Sequence, residues 1–168
     1  MKTGLPLSLM QTALLPGTKV VWRSEHWSFA RVCGGLGYVL AGHQSIPLAP
    51  GELLSIPAGA SVCLRASGLS ALALCHFEVC PAELPGLFSP TQQWALASAA
   101  RQGDAAVQVL PADATLARRF AAVCGLRERE RGPVLRRQML RVAAHVMQDF
   151  LKAPPAQPEQ RALGVPGR

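Results

Sequence analysis

The chain has 168 residues, 49% of them apolar, and a formal net charge of +7. That apolar share excludes a disordered chain, and the length suffices for one well-cored domain or a barrel with a helical appendage. No apolar run approaches the roughly 20 residues that cross a bilayer as a helix, so no membrane partner is expected.

At the N-terminus, Lys2 followed by Leu5, Leu7, Leu9 and Met10 has the outline of a secretion signal. Pro6, Ser8 and Gln11 interrupt it and no small-x-small cleavage site follows, so residues 1–18 are expected to be a flexible arm of a cytoplasmic protein. Short apolar runs then alternate with glycine and proline: Val20–Arg23, Trp27–Cys33, Gly37–Ala41, Ser45–Leu48, Glu52–Ile56, Ser61–Arg65 and Ser70–Val79. Their short connections predict antiparallel strands. Period-2 alternation puts Trp27, Phe29, Arg31 and Cys33 on one face and Ser28, Ala30 and Val32 on the other. The last run is apolar on both faces, with Ala73, Cys75 and Phe77 opposite Leu72, Leu74 and His76, which requires a layer outside the barrel.

The segment Pro50-Gly51-Glu52-Leu53-Leu54-Ser55-Ile56-Pro57-Ala58-Gly59, after the glycine-led hairpin at Gly35–Gly37, resembles the cupin barrel, a jelly-roll-like fold. The resemblance departs at the metal site. A metal-binding cupin has His-x-His after the first hairpin and another histidine beyond Pro-x-Gly. Here His43 is followed by Gln44 and Ser45, and Gly59 by Ala60, Ser61, Val62 and Cys63. A degenerate barrel without a metal or other cofactor is expected. His26, His43 and His76 match no ligand spacing of that family.

Beyond Pro81 the texture turns helical. Ser89-Pro90-Thr91 caps a helix over Gln92–Gln102, Asp113 caps a second over Ala114–Cys124 ended by Gly125, and Gly132-Pro133 opens a third to about Lys152. In the third, Leu135, Met139, Val142, Val146 and Phe150 form one apolar stripe. Its length predicts a homodimer seam, with intramolecular packing on the second helix as the alternative. Three prolines in Pro154–Pro158 mark a semi-extended linker. The expected organisation is an arm (1–18), a barrel (19–88), a helical segment (89–152) and a tail (153–168): mainly β with C-terminal helices.

Five cysteines, an odd number without Cys-x-x-Cys, argue against structural zinc or a disulfide framework. Twelve of the seventeen cations lie beyond residue 90, against six carboxylates. Arg118, Arg119 and the arginines of 127–141 admit a solvated helix face, partners for acidic groups across a dimer, or a phosphate-binding surface.

The order of these elements resembles the N-terminal sensor and dimerisation half of AraC-type transcription regulators. The matching residues are Trp22-Arg23-Ser24, Trp27 to Val32, Gly35-Leu36-Gly37, Pro50 to Gly59, Leu64 to Ser67, Leu72 to Pro81, and the arginine-rich helix from Gly132. The resemblance spans about residues 15–152. It implies a barrel binding a small-molecule effector, helices forming a dimer, and DNA read only by a helix-turn-helix half that these 168 residues do not contain. Within the barrel it points to Arg23 and His76 for the effector, and their chemistry adds Trp27 and His43 as ligand-binding candidates: an arginine clamps an anion and a tryptophan stacks on a ring. No catalytic motif is present: there is no Gly-x-Ser-x-Gly elbow and no phosphate-cradling glycine loop. A metal-dependent cupin enzyme and a basic nucleic-acid-binding module are the competing readings.

Overall fold

The computed structural model describes residues 7–84, 86–99, 107–125 and 132–152. Among the described residues nine strands are present: β1 (Met10–Leu14), β2 (Lys19–Arg23), β3 (Trp27–Gly34), β4 (Gly37–Ala41), β5 (Gln44–Leu48), β6 (Leu53–Ile56), β7 (Ser61–Ala66), β8 (Leu72–Val79) and β9 (Gln108–Leu110). They form two antiparallel sheets, β1-β8-β3-β6-β9 and β2-β7-β4-β5. The helices are α1 (Pro90–Ala97), α2 (Thr115–Cys124) and α3 (Pro133–Lys152). The molecule is thus mainly antiparallel β, jelly-roll-like, with helices toward its C-terminal end.

Turn chemistry sets the strand ends. Pro50 and Gly51 occupy the centre of a turn closed by Glu52 N–H donating to Ala49 O at 3.2 Å, and Gly51 has φ of 91°. Proline presets the first position and glycine accepts the positive φ of the second. The Glu52 carboxylate tightens the turn by accepting from Ala49 N–H at 2.8 Å. The Ser89 cap of α1 is reciprocal: its hydroxyl accepts from Gln92 N–H, and its own N–H donates to Gln92 Oε1.

Two hydrophobic cores share the larger sheet. Between the sheets lie Leu14, Ala30, Val32, Val39, Leu48, Leu54, Ile56, Val62, Leu64, Leu72 and Leu74. On the other face of that sheet, Trp27, Phe29, Leu53, Phe77 and Val79 pack with Leu96, Phe120, Leu135, Met139, Val142, Val146 and Met147 from the helices. The outer layer that β8 demands is therefore this helical one. An aromatic chain ties it down: Trp27 on Phe29, Phe29 on Phe77, Phe77 edge-on to Phe120 and Trp27 edge-on to Phe150, with centroids 5.2–6.3 Å apart.

Three expectations change. Residues 10–14, read as part of an arm, form β1 on the edge of the larger sheet, paired with β8 from Met10–His76 to Leu14–Leu72. The helical segment contains β9, which pairs with β6. The α3 stripe is not a free seam: Leu135, Met139, Val142 and Val146 are buried within the chain, and Phe150 packs against the same core. The intramolecular alternative describes it, because the outer face of the sheet supplies apolar partners that the period alone does not reveal. The expected helical residues 100–102, the arginines of 127–131 and the 153–168 tail lie outside the described residues. Among the described residues, no helix is long and apolar enough to cross a membrane.

Candidate ligand-binding site between the sheets

Strand parity decides which side chains reach the space between the sheets. On β8, Leu72 and Leu74 lie in the inter-sheet core, so His76 and Glu78 continue that face. On β3, Ala30 and Val32 do the same and Ser28 joins them. Trp22 of β2 packs against this core from the opposite sheet. These residues meet at the end of the barrel nearest the β2–β3 connection.

The contacts form one polar cluster. The Trp22 and His76 rings meet edge-to-face, centroids 4.6 Å apart. Trp22 Nε1–H points to Ser28 Oγ at 3.3 Å, and Ser28 Oγ–H to Glu78 Oε1 at 3.4 Å, both at the long end of hydrogen bonding. Thr12 Oγ1 and His76 Nε2 are 2.9 Å apart. His76 Nδ1 is buried and has no hydrogen-bond partner, as is true of His26 Nδ1 in the β2–β3 connection. Burial lowers the His76 pKa below the ordinary histidine value of 6.5, and the Glu78 charge acts in the opposite direction. The imidazole is therefore neutral at pH 7, with one ring nitrogen a donor and the other an acceptor.

Of the expected ligand residues, His76 alone joins this cluster. Arg23 is exposed and alternates outward from Trp22. His43 is exposed in the β4–β5 hairpin turn. Trp27, 1% exposed, lies on the opposite face of β3, where its Nε1–H donates to Leu96 O at 3.0 Å and anchors α1 to the sheet. The face shared by Trp27 and Phe29 is legible in the sequence, but which face looks inward depends on the helices. Ser28 and Glu78 follow from parity once that is known. Thr12 could not be found, because β1 has no alternating pattern. His26, His43 and His76 are not gathered, and among the described residues no group of three His, Cys, Asp or Glu is placed to hold a metal ion.

Chemically, the cluster offers an aromatic wall, a carboxylate acceptor, a hydroxyl and an unsatisfied imidazole nitrogen. It suits a small molecule carrying hydroxyl or amine donors, and Glu78 disfavours an anion. A separate open groove of about 430 Å³ runs along α3, lined by Leu87, Pro133, Arg136, Arg137, Leu140, Arg141 and Ala144.

No family model matches the sequence, and no curated protein matches it. Among solved structures, ToxT of Vibrio cholerae, an AraC-family regulator, overlays 92% of this chain at 5% identity with a TM-score of 0.57. The chain spans 60% of the length of ToxT. Cupin-fold structures overlay less of the chain. The EutQ protein of Clostridium difficile covers 42% of it at 16% identity and TM-score 0.35, matching over 52% of its own length. An oxalate decarboxylase-like protein of Thermotoga maritima covers 42% at 15% identity and TM-score 0.39, matching over 64% of its own length.

Proposed function

We propose that this chain is the effector-sensing part of an AraC-type transcription regulator, a cupin-like barrel that binds a small molecule between its sheets and performs no catalysis. The observation that carries the reading is the Trp22–Ser28–Glu78–His76 cluster, polar groups with one unpartnered buried atom, His76 Nδ1, set against an otherwise apolar inter-sheet core. The fold likeness to ToxT over most of the chain supports the regulator context. The effector, on this reading, is a neutral or cationic molecule with hydroxyl or amine donors, received by Glu78 and His76 against Trp22. DNA contact belongs to a helix-turn-helix half outside these residues.

The homodimer of this reading uses the outward face of α3, around Leu140 and Ala144, since the opposite stripe is occupied within the chain. Arg136, Arg137 and Arg141 of each copy then face like charges, so pairing tightens as salt screens them.

The test is a thermal-shift panel of monosaccharides, polyols, aromatic alcohols, amines and carboxylates on the purified chain. Compounds with hydroxyl or amine donors should stabilise it. Glu78→Gln should weaken the effective compound by roughly ten- to a hundredfold, the equivalent of about 1.5–3 kcal/mol for a hydrogen bond to a charged group. Arg23→Ala should leave binding unchanged. Stabilisation by carboxylates alone, or equal binding by Glu78→Gln, contradicts the proposal.

A further inference from the structure

The helices pack on the larger sheet, whereas the outward face of the smaller sheet is open, with Val21 65% and Tyr38 44% exposed. The four strands of that sheet hold Lys19, Arg23 and Arg65 and no aspartate or glutamate. Its edge strand β2 pairs with β7 on one side; among the described residues, no strand pairs with the other side. Val20 faces inward with Leu64, yet it is 41% exposed, because the flank of β2 is open.

The backbone on that flank can be assigned from the register. Ala66 N–H donates to Thr18 O at 3.0 Å, so antiparallel alternation makes Val20–Leu64 and Trp22–Val62 the next hydrogen-bonded pairs. The N–H and C=O groups of Lys19, Val21 and Arg23 therefore point to the open flank. The other edges suit a partner less well. β5 carries Pro47, which has no N–H, β9 has three residues, and β1 has no charge with which to select.

We propose that the open flank of β2 receives an extended acidic segment of a partner protein, added as a further antiparallel strand. On the outward face this strand sets carboxylates opposite Lys19 and Arg23 and an apolar side chain opposite Val21. On the inward face a second apolar side chain covers Val20. The charges decide against a second copy of the chain: antiparallel self-pairing about Val21 opposes Lys19 to Arg23 twice, like charge against like. A nucleic acid meets the cations with its phosphates but leaves Val20, Val21 and the free main-chain groups unmatched. The net charge of +7 draws an acidic segment toward the chain. The pairing requires no effector, so it stands or falls separately from the reading above.

The probe is the acetylated and amidated peptide Ser-Glu-Thr-Val-Val-Glu-Ser, titrated into the full chain at low salt and followed by nitrogen–proton correlation spectra. Amide shifts should centre on Lys19–Arg23 and saturate within the millimolar range. The same peptide with lysine in place of both glutamates should bind roughly tenfold more weakly or worse. N-methylation of the two glutamates and the first valine, the residues paired with Lys19, Val21 and Arg23, should abolish binding. The double variant Lys19→Glu with Arg23→Glu should reverse the preference and favour the lysine peptide. If that variant does not fold, the N-methylated peptide on the wild-type chain decides. Equal binding of the acidic and basic peptides overturns the proposal, as does the lack of saturation at millimolar peptide. So do shifts centred on β1, β5 or the arginines of α3, or a single-stranded oligonucleotide that outcompetes the peptide at Lys19–Arg23.

Discussion

His76 illustrates how a single side chain reports on its surroundings. It is 6% exposed, accepts or donates one hydrogen bond through Nε2, and is denied a second. Burial depresses its pKa, so the unfolded chain binds a proton more readily than the folded one. Its contribution to stability is complete above the unfolded value of 6.5 and is lost as pH falls from there through the lower folded value. Urea titrations of wild type and His76→Gln should therefore diverge in slope below pH 6.5, the variant showing the shallower acid loss; equal slopes would show that the ring is not kept neutral. Trp27 makes the complementary case. It fills the outer core and its indole N–H is satisfied by Leu96 O, so Trp27→Ala should cost about 3–5 kcal/mol in chemical denaturation. It should not alter the affinity of the folded protein for a ligand between the sheets.

At the scale of elements, α3 decides how the helical layer is read. Met139 and Val146 are 1% and 3% exposed, facing the sheet and the other helices. Met139→Glu or Val146→Glu places a carboxylate in that core and should exceed roughly 4–5 kcal/mol, giving an unfolded or aggregated chain. A folded monomer in sedimentation would restore the seam expected from the sequence. Gly35 governs the β3–β4 hairpin: its φ is 77° and a Cβ there would fall on the Ala71 carbonyl oxygen. Gly35→Ala should cost at least about 1–3 kcal/mol by thermal unfolding. Seven strands and three helices were legible because turn residues and caps punctuate them locally. β1 and β9 were not, because Met10–Leu14 lacks alternation and Gln108–Leu110 has three residues; both are strands only through pairing with β8 and β6. The same logic explains the site. Parity groups Ser28 with Ala30 and His76 with Leu74, but only the packing of the helices tells which group looks inward.

For the molecule as a whole, the larger sheet is the shared wall of two cores. Its inner face carries the polar cluster, and its outer face holds the helices through Trp27, Phe29 and Phe77. Ala30 and Phe29 are adjacent on β3, as are His76 and Phe77 on β8, so a ligand that shifts either strand acts directly on the packing of α2 and α3. A sensor needs such a wall, and the effector-binding reading stands or falls on occupancy of its inner side. The three tryptophans are well separated as probes: Trp22 in the cluster, Trp27 in the outer core and Trp94 exposed on α1. The decisive measurement is the indole N–H region of the nitrogen–proton correlation spectrum, recorded while the stabilising compound from the panel is titrated into the full chain. The account predicts that the Trp22 resonance shifts and saturates with the ligand while Trp94 stays fixed. Movement of Trp94 with Trp22 unchanged would place the ligand elsewhere and contradict it.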